Sequence, residues 1–103
     1  MKIVVIPTRG KVEVKEIDGT LKSLQELVGG YIEPAPIASL TARDIVPLVD
    51  EEGLLYGLEP NENLFPFFFV GTCVLVGRDR EDFVSLTDEQ VSFALGWLKE
   101  LDE

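Results

Sequence analysis

Residues 67–76 are almost wholly apolar, and a segment of that kind must be covered on both faces once the chain folds. The pattern predicts the central strand of a sheet there, with Gly71 permitting a bend or close backbone approach and Cys73 inside the strand. The wider run, residues 64–76, is interrupted by Pro66, Gly71 and Thr72 and falls short of the ~20 residues a membrane helix needs. It reads as core rather than as a membrane span. A second run, residues 3–6, is β-branched and predicts a strand buried on both faces. After the turn at Pro7-Thr8-Arg9-Gly10, Val12 and Val14 alternate with Lys11, Glu13 and Lys15 as a hairpin partner with one wet face. Ile17 falls out of phase, so that strand is expected to end or bulge near Glu16.

The period then changes. Leu21, Leu24, Leu27 and Val28 recur at helical spacing, with Asp18 and Thr20 as candidate N-caps and Gly29-Gly30 as the stop. Residues 31–37 read as extended, and Pro34 and Pro36 favour a sheet edge or an irregular strand because proline donates no ladder hydrogen bond. Residues 45–49 and 54–56 flank Asp50-Glu51-Glu52-Gly53, which predicts a hairpin. Leu86-Thr87-Asp88-Glu89-Gln90-Val91 is a helix start: Thr87 and Gln90 form a capping box, and Leu86 and Val91 a hydrophobic staple. Val91, Ala94, Leu95, Leu98 and Leu101 would then be the buried stripe. Together these elements predict one α+β domain over residues 1–103, with two helices on a mixed or mostly antiparallel sheet of about five strands. At 46% hydrophobic residues the chain has enough apolar surface to fold unaided.

Charge is distributed unevenly. The first 43 residues carry six Lys/Arg against five Asp/Glu, whereas the remainder carries three against fourteen. Phosphate backbones would repel so acidic a chain, which argues against direct DNA or RNA binding. No signal-peptide or membrane pattern is present, and the single cysteine, Cys73, cannot form an internal disulfide, so a cytoplasmic location is expected.

Chemistry-bearing patterns are few. With no histidine, the usual general base and the commonest transition-metal ligand are missing. Cys73, between Thr72 and Val74 in an apolar run, reads as inert core. Asp50-Glu51-Glu52 lacks the alternating ligand spacing of an EF-hand, so no metal and no cofactor is expected. The Gly29-Gly30 and Gly71-Thr72 steps match no phosphate loop.

Across nearly its whole length the chain resembles the domain of unknown function 3846 family, short proteins of bacteria, phages and other mobile elements. The resemblance is carried by Glu16-Ile17-Asp18-Gly19-Thr20-Leu21, Leu24-Gln25-Glu26-Leu27-Val28-Gly29-Gly30-Tyr31-Ile32-Glu33, Glu51-Glu52-Gly53, Gly57-Leu58, Asn61, Val70-Gly71-Thr72 and Ser85-Leu86-Thr87-Asp88-Glu89-Gln90. Relatives often read Asn, Lys and Arg where this chain has Asp50, Leu54 and Glu62. The resemblance implies no established activity; it implies a phage or mobile-element accessory protein that acts by contacting something else.

Two functions from different classes follow. One is a non-enzymatic interaction module in which Asp44, Asp50, Glu51, Glu52, Glu59 and Glu62, joined by Asp79, Glu81 and Asp82, face a basic surface on a host protein. The other is a small-molecule-binding or enzymatic domain with a pocket beside Gly29-Gly30-Tyr31, anchored by Tyr31 and Asn61. A homodimer is a further expectation. Phe93 and Trp97 widen the apolar arc of the last helix from about 120° to about 200°, more than one sheet face covers. Either a loop folds over them or a second copy does.

Overall fold

In the computed structural model, which describes residues 1–102, β1 (Lys2–Ile6) is buried on both sides. Ile3 and Val5 point into one apolar cluster and Val4 and Ile6 into another, as the period-2 pleat dictates for an unbroken β-branched run. β2 (Glu13–Glu16) pairs antiparallel with β1 at the sheet edge. It is exposed along its whole length, Val14 included, so the face expected to be dry is wet as well. Its alternating charges discourage further strand pairing.

α1 (Leu21–Val28) follows the helical spacing, with Thr20 accepting from the Ser23 N–H at its N-cap and Gly29 (φ 96°) in the left-handed conformation at its end. Leu24 and Val28 pack on Ile3, Val74 and Val76, whereas Leu21 is exposed. β3 (Ile32–Pro34) is the other sheet edge, as its prolines require. A short helix that the sequence pattern does not announce, α2 (Ala38–Thr41), inserts Leu40 into the core before β4 (Ile45–Asp50).

β5 (Cys73–Asp79) is the central strand, flanked by β1 and β4, and the sheet order is β2-β1-β5-β4-β3 with every pairing antiparallel. β6 (Asp82–Val84) returns from β5 through Arg80 (φ 60°) along the edge of β5 that β1 also uses. α3 (Asp88–Leu101) then starts with the full capping box, Thr87 accepting from the Gln90 N–H and the Gln90 side chain accepting from the Thr87 N–H.

The result is three layers. α1 covers one face of the sheet, and α2 and α3 cover the other. Within α3, Ala94 and Leu98 are buried, but Leu95 is 38% exposed while Phe93 and Trp97 are half-buried against the core. The stripe is turned toward the aromatic side because the chain itself covers those rings. The Arg43 guanidinium lies 4.1 Å from the centre of the Phe93 ring, and the Phe67 ring lies 5.7 Å from Trp97. No helix among the described residues is long and apolar enough to cross a membrane.

Candidate functional site

β4 and β5 are adjacent antiparallel strands that a two-residue turn could join, yet residues 51–72 lie between them. Connections beyond about 12–15 residues are uncommon in compact domains and usually serve a function. The expected hairpin of residues 45–49 with 54–56 does not form. Both edges of β4 are already taken, by β3 and β5, so residues 54–56 have no ladder to join. They coil locally instead: Tyr56 N–H donates to Glu52 O and Leu58 N–H to Gly53 O. Leu54, Leu55 and Tyr56 are left exposed.

The apolar run at residues 67–76 likewise divides. Only its part from Cys73 onward is strand; Phe67 to Val70 belong to the excursion, and Phe68 is 97% exposed. The break comes at Gly71, whose φ of 75° suits glycine and whose N–H turns back to Glu59 O at 2.7 Å. A side chain there would meet Leu58 Cδ1 at 2.8 Å.

Asn61 pins the base of this excursion. It is 2% exposed, and its Nδ2 donates to Ile6 O at 3.1 Å and Gly71 O at 2.9 Å, while its own N–H donates to Phe69 O at 2.7 Å. Two facing carbonyls require the amide nitrogen on that side, which leaves Oδ1 buried without a partner. Glu62 N–H donates to Thr8 O, and Asn63 Nδ2 to Pro7 O and Gly10 O, so the neck is tied to the segment after β1. Leu64, in the 3-10 turn Glu62–Leu64, plugs the core below.

Above the neck, Leu54, Pro60, Phe65, Phe67, Phe68 and Val70 line an apolar groove of about 640 Å³. Glu51, Glu52, Glu59 and Glu62 stand on the same excursion, and Arg9 reaches two of them, with Nε 4.0 Å from Glu59 and 3.5 Å from Glu62. The aromatic groove itself was missed in the sequence. Its signal was present in Phe65, Phe67, Phe68 and Phe69 clustered around Pro66, but that density reads as core until the chain path is known.

Asp44 is not part of this group. It sits at the opposite end of β4 with φ 57°, its carboxylate 3.3 Å from Arg78 and its carbonyl accepting from the Arg78 N–H and the Gln90 side chain. Asp79, Glu81 and Asp82 lie at the β5–β6 turn. Tyr31 and Asn61 do not share a pocket: Asn61 lies under the aromatic groove, and Tyr31 lines a separate depression beside Gly29 and Gly30. Tyr31 lies beside the end of β4, where its carbonyl accepts the Glu51 N–H at the β3 edge, whereas Asn61 is held two strands away by Ile6 O and Gly71 O. Asp50, at the end of β4, and Glu52 line the Tyr31 depression as well.

Cys73 is fully buried, and burial pushes its thiol up to about 12, so it holds essentially no thiolate at neutral pH. Among the described residues no three Cys, Asp or Glu side chains converge as a metal-holding group.

The fold and site define a three-layer antiparallel α+β domain with an anchored, aromatic-tipped excursion between its central strand and a neighbour. The chain belongs to the family described as domain of unknown function (DUF3846), whose model matches residues 1–100. No curated protein and no solved structure matches it.

Proposed function

We propose that the domain is a non-enzymatic protein-interaction module that offers the aromatic tip of residues 51–72, with its surrounding carboxylates, to a basic surface on a partner protein. The exposure of Phe68 on a hydrogen-bonded neck carries this reading. A 97% exposed phenylalanine flanked by Phe65 and Leu54 is unfavourable in water unless something covers it, and patches of this kind mark contact surfaces. The neck holds the patch ready, which lowers the ordering cost of association. The carboxylates steer a basic partner and reject acidic ones. The resemblance to phage and mobile-element proteins points to a host protein as that partner, within the cytoplasm.

The test is affinity capture of the full chain from host lysate at low and high salt, followed by titration of the identified partner in purified form. Wild type is expected to hold a basic partner that F68A and the charge-reversed E59K/E62K variant lose. Equal retention of that partner by all three proteins would refute the reading.

A further inference from the structure

We infer that the depression between the end of α1 and the start of the excursion is a receptor for an organic cation, a primary ammonium or guanidinium group on an aliphatic stem. This goes beyond the aromatic interaction surface and shares with its excursion only Glu52 and Tyr56.

The depression, about 470 Å³, is lined by Gln25, Gly30, Tyr31, Asp50, Glu52 and Tyr56, among others, with no Lys or Arg among its walls. Asp50 is the informative residue. It is only 8% exposed, and its carboxylate makes one hydrogen bond, accepting the Glu52 N–H on Oδ1 at 2.9 Å. Oδ2 accepts from no donor among the described residues, and neither Asp50 nor Glu52 joins any ion pair there. Oδ2 is not enclosed, since among the described residues Asn61 Oδ1 is the only fully buried side-chain oxygen without a partner, so this acceptor is open to an incoming cation. The fold makes room for the carboxylate: a side chain at Gly30 would fall 2.6 Å from Asp50 Oδ2, so the glycine is required for this approach.

A second source of negative potential is the C-terminal end of α1, whose last turn carries no basic residue and whose Gln25 carbonyl accepts the Gly29 and Gly30 N–H groups beside the depression. The third element is aromatic. Tyr31 and Tyr56 stand on the walls, both exposed, and phenol rings attract organic cations through their faces. Glu52 beside the Tyr56 hydroxyl holds that phenol above its ordinary pKa. A hard metal ion would need six or more oxygens, and no third carboxylate converges here. Two carboxylates, a helix C-terminus and two phenols instead suit a cation with an apolar stem.

The probes are the acetylated, amidated forms of lysine, arginine and norleucine, together with free spermidine and a lysine-bearing peptide. The readout is the amide NMR signals of Gly29, Gly30 and Tyr31 in the full chain. Lysine and arginine amides are expected to shift these signals saturably, and norleucine amide, which has lysine's four-carbon stem without the ammonium group, is not. D50N, which keeps the Oδ1 acceptor, is expected to weaken binding at least tenfold. Y56A, at an exposed position that folding does not need, is expected to weaken it several-fold, and the groove variant F68A to leave it unchanged. Spermidine binding without peptide binding would assign the site to free polyamines, and the reverse to a partner's side chain; both uphold the cationic chemistry. Three results would overturn it: no shift with any cation at about 10 mM, where a millimolar site would be mostly filled; equal binding of norleucine amide; or undiminished binding by both D50N and Y56A. Loss of partner capture by F68A with cation binding intact would separate the two surfaces.

Discussion

The sheet with its helices and the excursion at residues 51–72 are built from similar side chains, yet they treat them in opposite ways. In the body, Ile3, Ile6, Leu48, Val74, Leu75 and Val76 are wholly or almost wholly shielded. In the excursion, Leu54, Leu55, Phe65 and Phe68 stand in solvent. Apolar content therefore does not decide burial here. What decides it is whether a segment finds a free sheet edge and a covering layer, and by Asp50 both edges of β4 are in use. The excursion is held by hydrogen bonds at its neck rather than by a core of its own.

The sharpest way to break this contrast is to truncate one apolar residue in the body. Leu75, on the central strand between Val4 and Pro47, is fully buried, and Leu75→Ala is expected to cost about 2–5 kcal/mol in urea unfolding. A loss below about 1 kcal/mol would mean the central layer is far looser than its burial implies.

The neck comes next. Asn61→Ala strands the carbonyls of Ile6 and Gly71, with an expected loss of about 1–3 kcal/mol, and hydrogen exchange should quicken at Gly71 and Phe69 while β1 and β5 stay protected. Uniform quickening across the sheet would show that the neck belongs to the body after all.

Cys73 probes the body through pH. Its thiol is pushed from 9.0 up to about 12 by burial, so its folded value lies above its unfolded one. The stability this contributes is complete below pH 9 and is lost as pH rises toward 12, because the unfolded chain ionises first. At about pH 10.5 the expected loss is about 2 kcal/mol relative to pH 8, and Cys73→Ala should remove that slope. Parallel pH profiles for the two proteins would contradict a dry site around the sulfur.

The smallest expected effect on stability is at the tip. Phe68→Ala should change the unfolding free energy by no more than about 0.5 kcal/mol, since the ring leaves almost nothing behind when removed. A loss near that of Leu75→Ala would show that the groove is packed in solution.

The sequence by itself determined the local elements. β1, α1 and α3 follow from a β-branched run, from a 3.6-residue period and from caps at Thr20, Gly29, Thr87 and Gln90, all of which act within a few residues of chain. The edge position of β3 follows from proline chemistry in the same way. Only the tertiary structure decided where the apolar run at residues 67–76 divides, that residues 54–56 make no strand, that Phe67 and Arg43 cover Trp97 and Phe93, and that Asp50 meets Gly30 and the two tyrosines rather than Asn61. These outcomes depend on which strand edges are occupied and which layers overlie them. That is a property of pairing between segments distant in sequence, and no local pattern of residues carries it.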